Sequence, residues 1–241
     1  MGDHKGRDMG RDGTARALSL SSGLLLVGFV VNGIQRMLLH PTGAEDDHDA
    51  IFSEYADSDV WVATHLAELV LVLVAFAGLL VLCRALRPET PNLALLSAGA
   101  IVAASGAWTV LQGVDGVALK QAVDAWVDAS GPDQTTRFAD AETVRWIEWG
   151  LQSCFRLVLG VAFLLLGAAI VVGRLLPTWL GVVLALAGLL SVVVGVSVGY
   201  AGLESGFQDA VGLALQLAVL TFVVGLFIVA RRARGQVIPA L

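Results

Sequence analysis

Residues 145–172 read RWIEWGLQSCFRLVLGVAFLLLGAAIVV. The second part, Leu157–Val172, carries no charge. A bilayer-crossing helix needs about 20 mostly apolar residues, so the stretch reads as most of a membrane span. Its first part brings Arg145, Glu148, Gln152 and Arg156 straight into that hydrocarbon-grade sequence. At 3.6 residues per turn these four fall within roughly 80° of one another and form one polar face, with Trp146 and Trp149 at its edge. Counting back about 20 residues from Arg174 sets the hydrocarbon boundary near residue 153. Arg145 to Gln152 then stand at headgroup level, and Arg156 lies about one turn inside.

The rest of the chain has the same character. It is 56% hydrophobic and only 15% charged over 241 residues, which leaves no composition for a soluble domain. Apolar runs recur at about 17–39, 61–86, 92–115, 147–173, 177–200 and 209–230. They are continuous rather than alternating, so helices, not barrel strands, are the way they satisfy their backbone in lipid. The expected fold is an all-α polytopic bundle of six transmembrane helices over residues 17–234. Residues 1–16 are expected to be a disordered tail and 235–241 a short one. The first run is too long for the apolar core of a signal peptide and has no small-residue cleavage site after it.

Basic residues orient the bundle. Lys5, Arg7, Arg11, Arg16, Arg84, Arg87, Arg174, Arg231, Arg232 and Arg234 share one side with four acids, whereas the other side has five basic residues and seventeen acids. The positive-inside rule makes both termini cytoplasmic and the protein a multi-pass plasma-membrane one. The acidic outer face argues against a nucleic-acid partner. Cys83 and Cys154 fall near opposite membrane faces, too far apart for a disulfide.

Beyond the membrane, "IFSEY" (51–55) gives the first outer loop a small apolar face of Ile51, Phe52 and Tyr55, and Ser58 or Asp59 is expected to cap the second span. In "VDGVALKQAVDAWVDASGP" (114–132), Leu119, Ala122, Val123 and Trp126 recur at helical spacing, so the third span runs on outward. Gly131-Pro132 stops it, and the return into the fourth span completes a projecting helical hairpin. The fifth run has Gly181, Gly188, Gly195 and Gly202 at a seven-residue period, a close-packing stripe that also offers a face for homo-oligomers.

Polar residues collect at one level. The first run ends with Asn32, Gln35, Arg36 and His40; the second begins WVATHLAEL, putting His65 and Glu68 on one face. The third has Trp108, Gln112 and Asp115 near its outer end, and the sixth Asp209 and Gln216. Below this level the runs are almost purely apolar. Ionisable groups at such depth face a bundle interior or a wet cavity, so an outward-facing polar pocket in the outer third is expected. Three readings of it compete.

The first is a register-fixing ion-pair network, for instance Arg156 or Arg36 against Glu68 or Glu148, with Arg156 expected to meet Glu68 or Asp115. The second is a divalent-metal site and a metal-dependent enzyme, from His40, His65 and Glu68 with Asp115 and Glu148 near, although the arginines would repel a cation. The third is a site for a small anionic or amphipathic ligand, a small molecule or a lipid, using Arg36, Gln112, Asp115, Arg145, Glu148, Trp149, Gln152 and Arg156, with Trp108 and Trp146 as further walls. This last reading turns the arginines into assets. His48, in the acidic loop, reads as plain surface. A structural or partner-binding subunit, using the hairpin and the glycine stripe, is a further class. Transport would need a polar path through the apolar half, and a b-type haem would need facing histidines; neither is legible.

The combination HP…WxxxH before and in the second run, VDGVALKQAVDAW after the third, and RWxExGxQSxxR opening the fourth resembles a group of uncharacterised six-helix bacterial integral membrane proteins. The resemblance spans the first five runs and implies the fold, with no activity attached.

Overall fold

The computed structural model describes residues 3–39, 47–203 and 206–237, with side chains described between residues 13 and 234. Helix α1 (Asp3–Leu26) continues through a π-helical segment, Val27–Val31, into α2 (Asn32–Leu39). Then follow α3 (His48–Asp57) and α4 (Trp61–Leu86). Next come α5 (Pro91–Gly113), a second π-helical segment (Val114–Leu119) and α6 (Lys120–Val127). The chain closes with α7 (Pro132–Gly173), α8 (Thr178–Ala201) and α9 (Phe207–Val237). Six of the resulting helical units are long and apolar enough to cross a membrane, in the places where the apolar runs lie.

The helices start and stop where local chemistry requires. Pro91 and Pro132 occupy first-turn positions, where a missing N–H costs nothing. Gly131 and Gly202 have φ of 61° and 72°, a region open to glycine and strained for other residues. Asp47 caps α3 by accepting from the Ala50 N–H at 3.1 Å. The second span starts at Trp61, where the apolar run does, but Val60 rather than Ser58 or Asp59 stands at the cap, with no side-chain cap bond. Helical backbone also begins at Asp3, ahead of the apolar run where a tail was expected.

The spans form a ring. α4 packs on α1, α5 on α4, α7 on α5, α8 on α7 and α9 on α8, and α9 closes back onto α1. Aliphatic and aromatic side chains fill the centre, among them Phe76, Leu82, Phe163, Leu166, Leu184 and Phe222. Lipid tails are as apolar as leucine, so packing rather than water exclusion must hold the spans together. The α7–α8 seam meets that need with small residues. A Cβ added to Gly160 would lie 2.7 Å from the Gly188 carbonyl, and one added to Gly167 would lie 2.6 Å from that of Gly181. Ser153 donates to the Gly195 carbonyl at 2.7 Å, and Ser191 to that of Arg156 at 2.8 Å. The fifth-run glycine stripe is thus filled by α7 of the same chain. A second copy would have to displace α7 to use that face.

The hairpin projects as expected, but its return arm is continuous: α7 is one 42-residue helix from Pro132 through the membrane. α3 lies against the hairpin base. Its predicted apolar face, Ile51, Phe52 and Tyr55, is almost completely buried with Trp61, Leu119, Val123 and Ala141 in a second, smaller core.

Candidate functional site

The polar residues gather at the end of the bundle that carries α3 and the hairpin. The π-helical segment Val114–Leu119 lies there, the other, Val27–Val31, lies nearer mid-span, and both press on α4. A Cβ at Gly116 would collide with the His65 Cβ, and one at Gly28 would lie 2.6 Å from the Leu71 carbonyl. A π-helical turn inserts an extra residue into the helix, re-aiming whatever follows, and such turns recur at functional sites. In the first span it redirects Asn32, Gln35 and Arg36; in the third it presents Asp115.

The outer group is built from α3 and α7. Arg145 and Glu148, one turn apart, pair at 2.7 Å with side chains 2% and 4% exposed. The Arg145 guanidinium also lies 5.7 Å from the Tyr55 ring centroid and 5.8 Å from that of Trp149, within cation–π range. Tyr55 continues into Trp61 at 4.0 Å and Trp61 into His65 at 4.2 Å, a tilted aromatic series. His48 belongs to this group rather than to the surface. It lies 2.9 Å from Glu142 and its ring stacks on Phe52, so the acidic loop is tied back to α7.

His65 and Asp115 form the middle. His65 Nδ1 lies 2.9 Å from the Trp61 carbonyl, which only accepts, so that nitrogen carries a proton. Nε2 faces Asp115 Oδ2 at 3.2 Å, and the Trp61 indole N–H donates to the Asp115 carbonyl at 3.2 Å. Both ring nitrogens are therefore engaged, with Asp115 as the ion-pair partner of His65.

Glu68 instead joins the inner group. It is 2% exposed and sits 3.6 Å from Arg36 Nε, whose side chain is 43% exposed. Gln35 donates to the Thr64 carbonyl at 2.7 Å, holding α2 to α4. Arg156 does not meet Glu68 or Asp115, because each already has a partner; it makes no ion pair among the described residues. Its electrostatic neighbour is Arg36, of like charge. The guanidinium lies 5.9 Å from the Phe155 ring, and Trp108 packs on that ring at 4.9 Å. Asn32 Oδ1, Thr64 Oγ1, Glu68 Oε1, Trp108 Nε1, Gln112 Oε1 and Arg156 Nε are all buried with no hydrogen-bond partner among the described residues, and of these Glu68 Oε1 faces Arg36 Nε at ion-pair distance, 3.6 Å. Six such atoms at one level of a bundle are unusual, since buried polar groups nearly always find partners.

Several expected members lie elsewhere. Trp146 is 54% exposed and faces outward. Asp209 and Gln216 are exposed as well, and Asp209 accepts from the Gly206 N–H at the start of α9. The sixth span contributes Gln208, which donates to Ser197 and to the Gly202 carbonyl. Gln152 is half-buried on the expected face, and His40 lies outside the described residues. Among the described residues no three His, Cys, Asp or Glu side chains come together as a metal-ligand group. Gln208 and the unpartnered Thr64 hydroxyl escaped the sequence reading because single polar residues in apolar helices carry no periodic signal. A groove of about 660 Å³ lies at the hairpin tip beside Asp128, Asp133 and Asp140, away from all of these groups.

Comparison with curated proteins and with solved structures finds no match. The family described as Domain of unknown function (DUF4386) matches residues 20–231. That interval contains the three polar groups and nearly all of the six spans, so the chain is an integral membrane protein belonging to the DUF4386 family.

Proposed function

We propose that this protein binds a small anionic or amphipathic ligand at the polar end of its bundle, between Arg36 and Arg156. The observation that carries the reading is the charge balance of the inner group: two neighbouring guanidiniums with Glu68 as the one carboxylate paired there among the described residues. Guanidinium stays charged when buried, so the excess cannot be relieved by proton loss. An anion relieves it, and bidentate recognition of carboxylate or phosphate is what arginine does best. Trp108, Gln112, Gln152 and the unpartnered atoms beside them supply walls and hydrogen bonds, while Arg145, Glu148, Trp149 and Asp115 brace the rim. The site belongs to a plasma-membrane protein with both termini cytoplasmic, and it opens outward.

The metal-enzyme reading from His65 and Glu68 is weaker, since the first is turned to Asp115 and the second to Arg36. The test is mass-spectrometric identification of what co-purifies with the protein, with metal analysis of the same sample. An anionic molecule retained by wild type and lost from Arg36→Gln and Arg156→Gln is the expected result. Retention indifferent to both substitutions, or a stoichiometric metal in place of an anion, would refute the reading.

A further inference from the structure

The inner group is approached from the membrane as well as from above. The ring of six spans closes where α9 meets α1, but past the Val27–Val31 segment the chain packs on α4, and α2 contains no buried residue. The part of α9 near its polar end is nearly as bare. Leu215 is the one buried residue in 209–217, while Leu213 and Leu217 are 58% and 55% exposed. Ile34 and Leu38 on α2 are 50% and 69% exposed. The ring therefore splits at its polar end into an apolar gap between α2 and α9, with Arg36 on its α2 side.

The unpartnered atoms describe what would fill the inner end of this gap. Arg156 Nε and Trp108 Nε1 are donors in need of an acceptor. Asn32 Oδ1 and Gln112 Oε1 are acceptors in need of a donor. A bare anion would satisfy the donors and leave the acceptors stranded. A headgroup with both an anionic oxygen and hydroxyl groups satisfies both sets, and an acyl chain attached to it has an apolar gap in which to lie.

We propose that the occupant is an anionic lipid with a hydroxylated headgroup, of the phosphoglycerol class, which enters sideways between α2 and α9 and lodges its phosphate between Arg36 and Arg156. This rests on the anion-binding reading above and narrows it. The lipid is preferred over a soluble anion because its chains match the exposed leucines and isoleucine that flank the gap.

The test measures thermal unfolding of purified full-length protein in detergent with added phosphatidylglycerol, phosphatidylcholine or soluble glycerol 3-phosphate. At hundredfold excess over the dissociation constant, phosphatidylglycerol should raise the midpoint by roughly 5–10 °C. The other two probes should leave it within about a degree. Arg36→Gln and Arg156→Gln should abolish the difference, and Arg137→Gln, on the exposed hairpin, should keep it. Should Arg156→Gln not fold, the half-exposed Arg36 position carries the comparison alone. Equal protection by phosphatidylcholine would overturn the proposal, as would an undiminished phosphatidylglycerol effect in Arg36→Gln. If glycerol 3-phosphate protects as well as the lipid does, lateral lipid entry is wrong and the anion site stands. If no probe shifts the midpoint, both fall.

Discussion

Alanine at Gly188 should weaken the bundle, while alanine at Gly99 should not. A Cβ at Gly188 would stand 2.7 Å from the Gly160 carbonyl oxygen and 2.8 Å from the Leu164 nitrogen, where ordinary contact begins at 3.4 Å. Both obstacles are backbone, so no side chain can swing aside, and α8 must retreat by ~0.7 Å. A gap of 0.5–1 Å forfeits about a quarter to a half of each contact's ~0.1–0.2 kcal/mol. Over the several tens of atom pairs of a close helix seam, that comes to about 2 kcal/mol. Nothing lies within 4 Å of the corresponding position at Gly99, which is also mid-helix. Any gain in helix propensity from replacing glycine is common to both variants and cancels in the comparison. For a chain of this size the difference corresponds to roughly 4–8 °C between the two midpoints. Circular dichroism melts of both variants in one detergent measure it directly. Equal midpoints would show that α7 and α8 do not touch backbone to backbone, and the register argued for this seam would be wrong.

Three other outcomes follow from the geometry. Glu148→Met should cost about 3–5 kcal/mol, because it removes the buried carboxylate that pairs with Arg145 at 2.7 Å, whereas Glu148→Met with Arg145→Met should cost clearly less; equal losses in the single and double variants, by the same melts, would show that the two do not function as a pair. Ser130→Cys, in a Cys83→Ser and Cys154→Ser background, should react with a membrane-impermeant thiol reagent on intact cells, and reaction only after permeabilisation would reverse the proposed orientation. In the wild-type chain Cys83 and Cys154 are both free, one buried near the basic end of α4 and one exposed midway along α7. Non-reducing mass spectrometry should accordingly find no intramolecular bridge between them.

Much of this architecture is readable from residue order alone, because the bilayer is a severe solvent. It demands about 20 apolar residues and a self-satisfied backbone, so six spans and their ends follow from hydropathy. The apolar face of α3 and the outward run of α6 were equally legible, each from helical spacing over two or three turns. That polar side chains share one level also follows, since depth is a count along a helix of fixed rise. Partner choice does not, because it depends on rotation about each helix axis and on which spans are neighbours. Glu68 reaches Arg36 rather than Arg156, and Asp115 reaches His65, since the two π-helical segments re-aim the residues beyond them. The glycine stripe could be counted in the sequence, but whether it faced a second copy or α7 was decided by the sequence-adjacent ring of helices. Trp146 and Trp149 stand three residues apart on one helix; Trp149 packs over Gly202 and Trp146 faces outward, a difference that exists only once α8 is in place.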